Sequence, residues 1–106
     1  MREIPHPQWP DFLTQFGYRH FAWNVTLVHK LAGRDKLIEN HCFLEEFVAG
    51  HEQIIIVLGS PFRPFQSCVI ENPCHLRIAD TRQHALDIEC SDGSSIVVRL
   101  RRMLAA

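Results

Sequence analysis

The hydrophobic period of this chain changes once, near residue 20. Between residues 7 and 18 the apolar side chains Trp9, Phe12, Leu13 and Phe16 recur at i, i+3, i+4 and i+7, the stripe of an amphipathic helix. After Arg19 the spacing becomes two: Phe21, Trp23, Val25 and Leu27 alternate with Ala22, Asn24, Thr26 and Val28, aromatic and β-branched residues that suit a half-buried strand. Neither period can place its apolar groups on one face of the other element. The chain is therefore expected to fold as one helix followed by β-structure. Pro7 and Pro10 fall in the first helical turn, where a missing N–H costs little, and Gly17 is the expected stop.

Turn residues divide the remainder. Gly33, Arg34 and Asp35 predict a turn from which residues 36–43 return as a hairpin strand, whereas 44–53 reads as a loop or single turn, with Leu44, Phe47 and Val48 at helical spacing before Gly50. The unbroken apolar run 54–58 predicts a strand inside the sheet. Gly59, Ser60 and Pro61 end it, and Phe62, Arg63, Pro64 and Phe65 read as a loop. Residues 66–71, 75–79, 85–90 and 96–101 each have strand character, and Asp92-Gly93 predicts a type I′ turn joining the last two. The expected architecture is α+β: an amphipathic N-terminal helix on an antiparallel meander of six or seven strands, a partly open barrel or sandwich. A length of 106 residues fits a single domain spanning 1–106.

The order Glu3, Ile4, Pro5, then Trp9, Pro10, Phe12 and Phe16, then Trp23 in a strand resembles a bacterial family of similar length catalogued only as a domain of unknown function. The resemblance covers nearly the whole chain. It implies a helix opening with an Ile-Pro step before a β-meander, and a late Asp-Gly hairpin leading to a basic strand, here Arg99, Leu100 and Arg101. It implies no catalytic residue, and neither the cysteines nor residues 62–65 belong to its pattern.

Hydrophobic residues make up 46% of the chain and charged residues 22%, so it has the composition of a chain that folds on its own. A net charge of -1 gives no global field toward nucleic acid or acidic lipid. No apolar run is long enough to span a membrane, and Met1 to Pro5 lacks the apolar core of a secretory signal. A cytosolic protein with reduced, mostly buried cysteines is expected.

Seven histidines and four cysteines, with His41 beside Cys42 and Cys74 beside His75, raise the question of zinc. No C-x2-C or H-x3-H pair is present, and sequence neighbours in a strand point to opposite faces. A metal-binding sensor or enzyme would need two or more of His41, His51, Cys68, Cys74, His75 and His84 to converge. No metal, cofactor or catalytic residue is expected from the spacing, no cysteine sits in a nucleophile signature, and the glycines form no phosphate loop. Arg99, Arg101 and Arg102, with Arg77 and Arg82, offer a nucleic-acid surface, against which stand 12 acidic and 11 basic residues. Phe62, Arg63 and Phe65, stiffened by Pro64, have the composition of an interface anchor. The expected function is a non-enzymatic interaction module that contacts another protein, or a second copy of itself, through that segment or a sheet edge.

Overall fold

The computed structural model describes residues 2–61, 63–79 and 82–102, with Arg63 and Pro64 as backbone alone. A two-residue strand β1 (Arg2–Glu3) and a 3-10 turn (His6–Gln8) lead into helix α1 (Trp9–Arg19). Seven strands follow: β2 (Asn24–Leu31), β3 (Arg34–Gly50), β4 (Gln53–Ser60), β5 (Arg63–Glu71), β6 (Pro73–Ile78), β7 (Ala85–Cys90) and β8 (Ser95–Arg101). All eight form one open antiparallel sheet in the order β1-β6-β7-β8-β2-β3-β4-β5. The fold is α+β as expected, with eight strands rather than six or seven. The additional strand is β1, too short to show a period.

The sheet is two meanders, β2 to β5 and β6 to β8, joined where β8 pairs with β2. The chain therefore leaves one edge after β5 and re-enters near the other. Asn72, at φ 51°, makes that turn. Its N–H donates to the Glu52 carbonyl at 2.9 Å and its own carbonyl accepts from Ser91 N–H at 3.0 Å, so the crossover is tied to two hairpin turns, β3–β4 and β7–β8.

Strand β3 is the longest strand of the first meander. Its first part pairs with β2 and its second with β4. Register shifts between Leu44 and Glu46, and at Val25/Leu27 and Leu27/Val28, bend the sheet as bulges do. The segment 44–53 is thus a strand as far as Gly50, then a tight turn, and not a loop or helical turn. The bulge explains the misleading period: one inserted residue lets Leu44 and Phe47, three apart, both face the interior.

The turns also differ from expectation. Type I′ geometry appears between β2 and β3, where Ala32 (φ 52°) and Gly33 (φ 78°) both take positive φ. Around Asp92 only Gly93 does, and the loop has three residues, closed by Cys90 N–H to Ser94 carbonyl at 2.8 Å and Gly93 N–H to Cys90 carbonyl at 3.1 Å. The Asp92 carboxylate accepts from Ser94 N–H (2.9 Å) and Oγ–H (2.6 Å), which holds its carboxyl below the usual aspartate range.

One face of the sheet and the apolar stripe of α1 form the core. Trp9, Leu13 and Phe16 are buried with Val25 and Leu27 of β2, Ile54, Ile56 and Leu58 of β4, and Leu86 and Ile88 of β7. The Trp9 indole N–H donates to the Ile4 carbonyl at 2.9 Å, fastening the chain before the helix. Gly17 does not stop α1. It lies inside it, against β3, where a Cβ would touch the Phe47 backbone nitrogen at 3.5 Å. The following strand begins at Asn24 rather than Phe21, because Ala22 at φ 65° breaks the extended run.

Gly59 is a close-approach glycine. A Cβ there would stand 2.6 Å from Phe43 Cζ and 3.1 Å from Glu45 Oε1. Gly59→Ala is expected to force the Phe43 ring aside and destabilise the fold by about 1–3 kcal/mol. A lower urea midpoint with an unchanged slope would show it; an unchanged midpoint would mean the ring swings away without cost.

Candidate functional site

Strand alternation places Gln66, Cys68 and Ile70 of β5 toward the interior, and the Gln66 amide donates to the Cys42 sulfur at 3.6 Å. Phe65, Ser67, Val69 and Glu71 therefore face outward. Phe65 is 71% exposed and Val69 46%. Tyr18 in the last turn of α1 (79% exposed) and Phe21 in the turn after it (57%) meet Phe65 around a groove of about 390 Å³ with Val57, Glu45 and Glu46. β5 is the last strand of the sheet, and among the described residues no strand pairs with its outer edge.

The expected loop at 62–65 is corrected in part: β5 already begins at Arg63, and Phe62 lies outside the described residues. An edge strand accepts Pro64 because one of its sides needs no ladder bond. The register shift between Leu58 and Ser60 falls at the same end.

A second feature lies on the outer face of β8, β2 and β3. Arg99 pairs in register with Thr26, and Arg101 with Asn24. With Asn40 and His41 these residues line a polar cleft of about 480 Å³. The Asn40 Oδ1 accepts from His41 N–H (3.0 Å) and from the Thr26 hydroxyl (3.4 Å). This bonding accompanies a positive φ of 61° at His41. Arg102 is exposed just beyond β8, and Arg82 is exposed between β6 and β7. Arg77 is taken: its guanidinium donates to Glu89 at 3.0 Å and lies 3.6 Å from Glu3.

The histidines and cysteines largely disperse. His51 and Cys74 share a pocket of about 500 Å³ with His6 and Trp9 at the hairpin ends. His41 belongs to the arginine cleft. Cys68 faces inward, and burial together with Glu39 pushes its thiol up. His75 Nδ1 is 2.9 Å from Glu3, a contact that holds the Glu3 carboxyl below its ordinary range. The four cysteines stand as thiols. Among the described residues no three His, Cys, Asp or Glu side chains gather as a metal site.

One cluster was not read from the sequence. His20, 1% exposed, donates from Nδ1–H to the Phe16 carbonyl at 2.8 Å, which leaves Nε2 as the acceptor for His84 Nδ1–H at 2.9 Å in the neutral pair. Phe16 and Trp23 pack on the His20 ring at centroid distances of 4.2 and 4.6 Å. The available signal was position: His20 continues the apolar stripe one turn beyond Phe16.

Among the described residues no helix is long and apolar enough to cross a membrane. Compared with protein-family models, with curated proteins and with solved structures, the chain finds no match.

Proposed function

We propose that this chain is a non-enzymatic interaction module that pairs with a second copy of itself along the outer edge of β5. The observation that supports this most is an edge strand that has no partner on its outer side among the described residues and carries an exposed aromatic and an exposed β-branched residue. Edge strands of proteins that stay apart are blunted by charge, bulges or proline. Here Pro64 guards one end only, and residues 65–71 contain neither lysine nor proline.

The edge is also self-complementary in sequence. An antiparallel pair of β5 strands related by a two-fold axis at Ser67 sets Phe65 across from Val69 and position 63 (Arg) across from position 71 (Glu). An aromatic with β-branched pair contributes about 0.2–1 kcal/mol, and the two-fold axis makes it occur twice. The backbone ladder supplies the remainder of the contact, as in strand addition generally. The groove beside Phe65 then lies next to the joint.

Sedimentation equilibrium tests this reading. Twice the chain mass is expected to dominate at about 100 μM, with dissociation on dilution. A chain that remains monomeric throughout that range would overturn self-pairing and leave the edge to a different protein.

A further inference from the structure

We infer that the cleft lined by Arg99, Arg101, Asn24, Thr26, Asn40 and His41 binds the phosphate group of a small phosphomonoester. The inference does not depend on self-pairing, since the cleft lies on β8, β2 and β3, and β4 stands between β3 and the β5 edge.

Two guanidinium groups two residues apart on β8 project to the same face, their backbones about 7 Å apart. Among the described residues neither forms an ion pair or hydrogen bond, and no carboxylate lines the cleft. Arg77, on the same face, shows the contrast, because Glu89 and Glu3 neutralise it. Two uncompensated like charges at this spacing repel, and an anion seated between them relieves the repulsion.

The neutral residues complete a site for oxygen. Asn40 turns its Oδ1 back to His41 N–H and Thr26, so its amide NH2 end is left to donate. The positive φ of His41 belongs to the bulge at which Asn40 and His41 together oppose Thr26, and the bulge brings both residues to the cleft. A carboxylate has two coplanar oxygens and satisfies one guanidinium fork. A phosphate monoester presents three oxygens and a second charge, enough for two forks and the Asn40 amide.

The size of the cleft, about 480 Å³, falls in the range of small-molecule sites and leaves room for the organic part of an ester. A nucleic-acid strand fits less well. Binding it requires a track of successive phosphate contacts, whereas along this face the next rows hold Asp87, Glu89 and the neutralised Arg77.

The test is an NMR titration of the whole chain with inorganic phosphate, phenyl phosphate, benzoate and a single-stranded oligonucleotide of about 12 nucleotides. Inorganic phosphate and phenyl phosphate should shift the His41, Arg99 and Arg101 signals saturably, phenyl phosphate the more tightly, with benzoate at least about tenfold weaker. Arg99→Gln and Arg101→Gln, at exposed positions, should each weaken phenyl phosphate by about tenfold while the backbone spectrum elsewhere stays unchanged. Saturation not approached by about 10 mM, benzoate binding equally well, or unchanged affinity in both variants would each overturn the assignment. An oligonucleotide that binds tighter than phenyl phosphate, with an affinity falling steeply in salt, would overturn it in favour of nucleic acid.

Discussion

Phe16→Ala is expected to destabilise the protein by about 3–5 kcal/mol, the range for removing a fully buried aromatic ring. The ring is 1% exposed and lies against Phe12, His20 and Phe47 at centroid distances of 5.6, 4.2 and 5.7 Å. It is where the helix, the bent strand β3 and the buried histidine meet. Those neighbours belong to different elements and cannot all close on the hole. Since domains of this size are stable by only about 5–15 kcal/mol, the variant should melt far below the parent or fail to accumulate. Phe21→Ala, at 57% exposure, should change stability by no more than about 0.5 kcal/mol. Urea unfolding followed by tryptophan fluorescence compares the two. Equal costs would mean that α1 does not pack as described.

The second large effect concerns association. Phe65→Lys with Val69→Lys places two ammonium groups on the outer face of β5, and in the two-fold register each meets its like across the joint. Like charges directly opposite are destabilising, and both apolar pairs are lost together. The dimer dissociation constant should rise by at least about a hundredfold, equivalent to about 2.8 kcal/mol. Because both side chains are exposed, the monomer fold should survive. Sedimentation together with a thermal melt separates the outcomes: loss of the dimer with an unchanged melt supports edge pairing, and an undiminished dimer places the contact elsewhere.

How much of this was legible depends on the range of the interactions. The helix and seven strands follow from local period, because burial of one face imposes it residue by residue. The continuation of β3 through Leu44 and Phe47 was hidden since a bulge replaces the period of two by a spacing of three, which imitates a helix. Asp92-Gly93 carries the composition of a type I′ turn, yet the Asp92 side chain bonds Ser94 and a three-residue loop results. Ala32-Gly33 takes the type I′ form instead.

The sites were less legible than the fold. Arg99 and Arg101 were visible as a basic strand, but their meeting with Asn40 and His41 depends on β8 and β3 both flanking β2, a long-range pairing with no local signature. Phe65, with Phe62 and Arg63, has the composition of an interface anchor, in a segment that reads as a loop. That it stands on an open edge beside Tyr18 and Phe21 follows only from the placement of β5 at the end of the sheet. The His20–His84 contact joins residues 64 apart and left no trace beyond one position on the helical stripe.

The most direct test of self-pairing is a Ser67→Cys variant in a Cys74→Ser background, mildly oxidised and resolved without reductant. In the proposed register residue 67 faces its own copy with Cα atoms about 4.5–5.5 Å apart, inside the span of about 4.4–6.8 Å that a disulfide bridges. The account predicts rapid, near-complete covalent dimer for Ser67→Cys and none for Leu31→Cys at the far hairpin in the same background. Equal cross-linking at both positions, or none at 67, would contradict it.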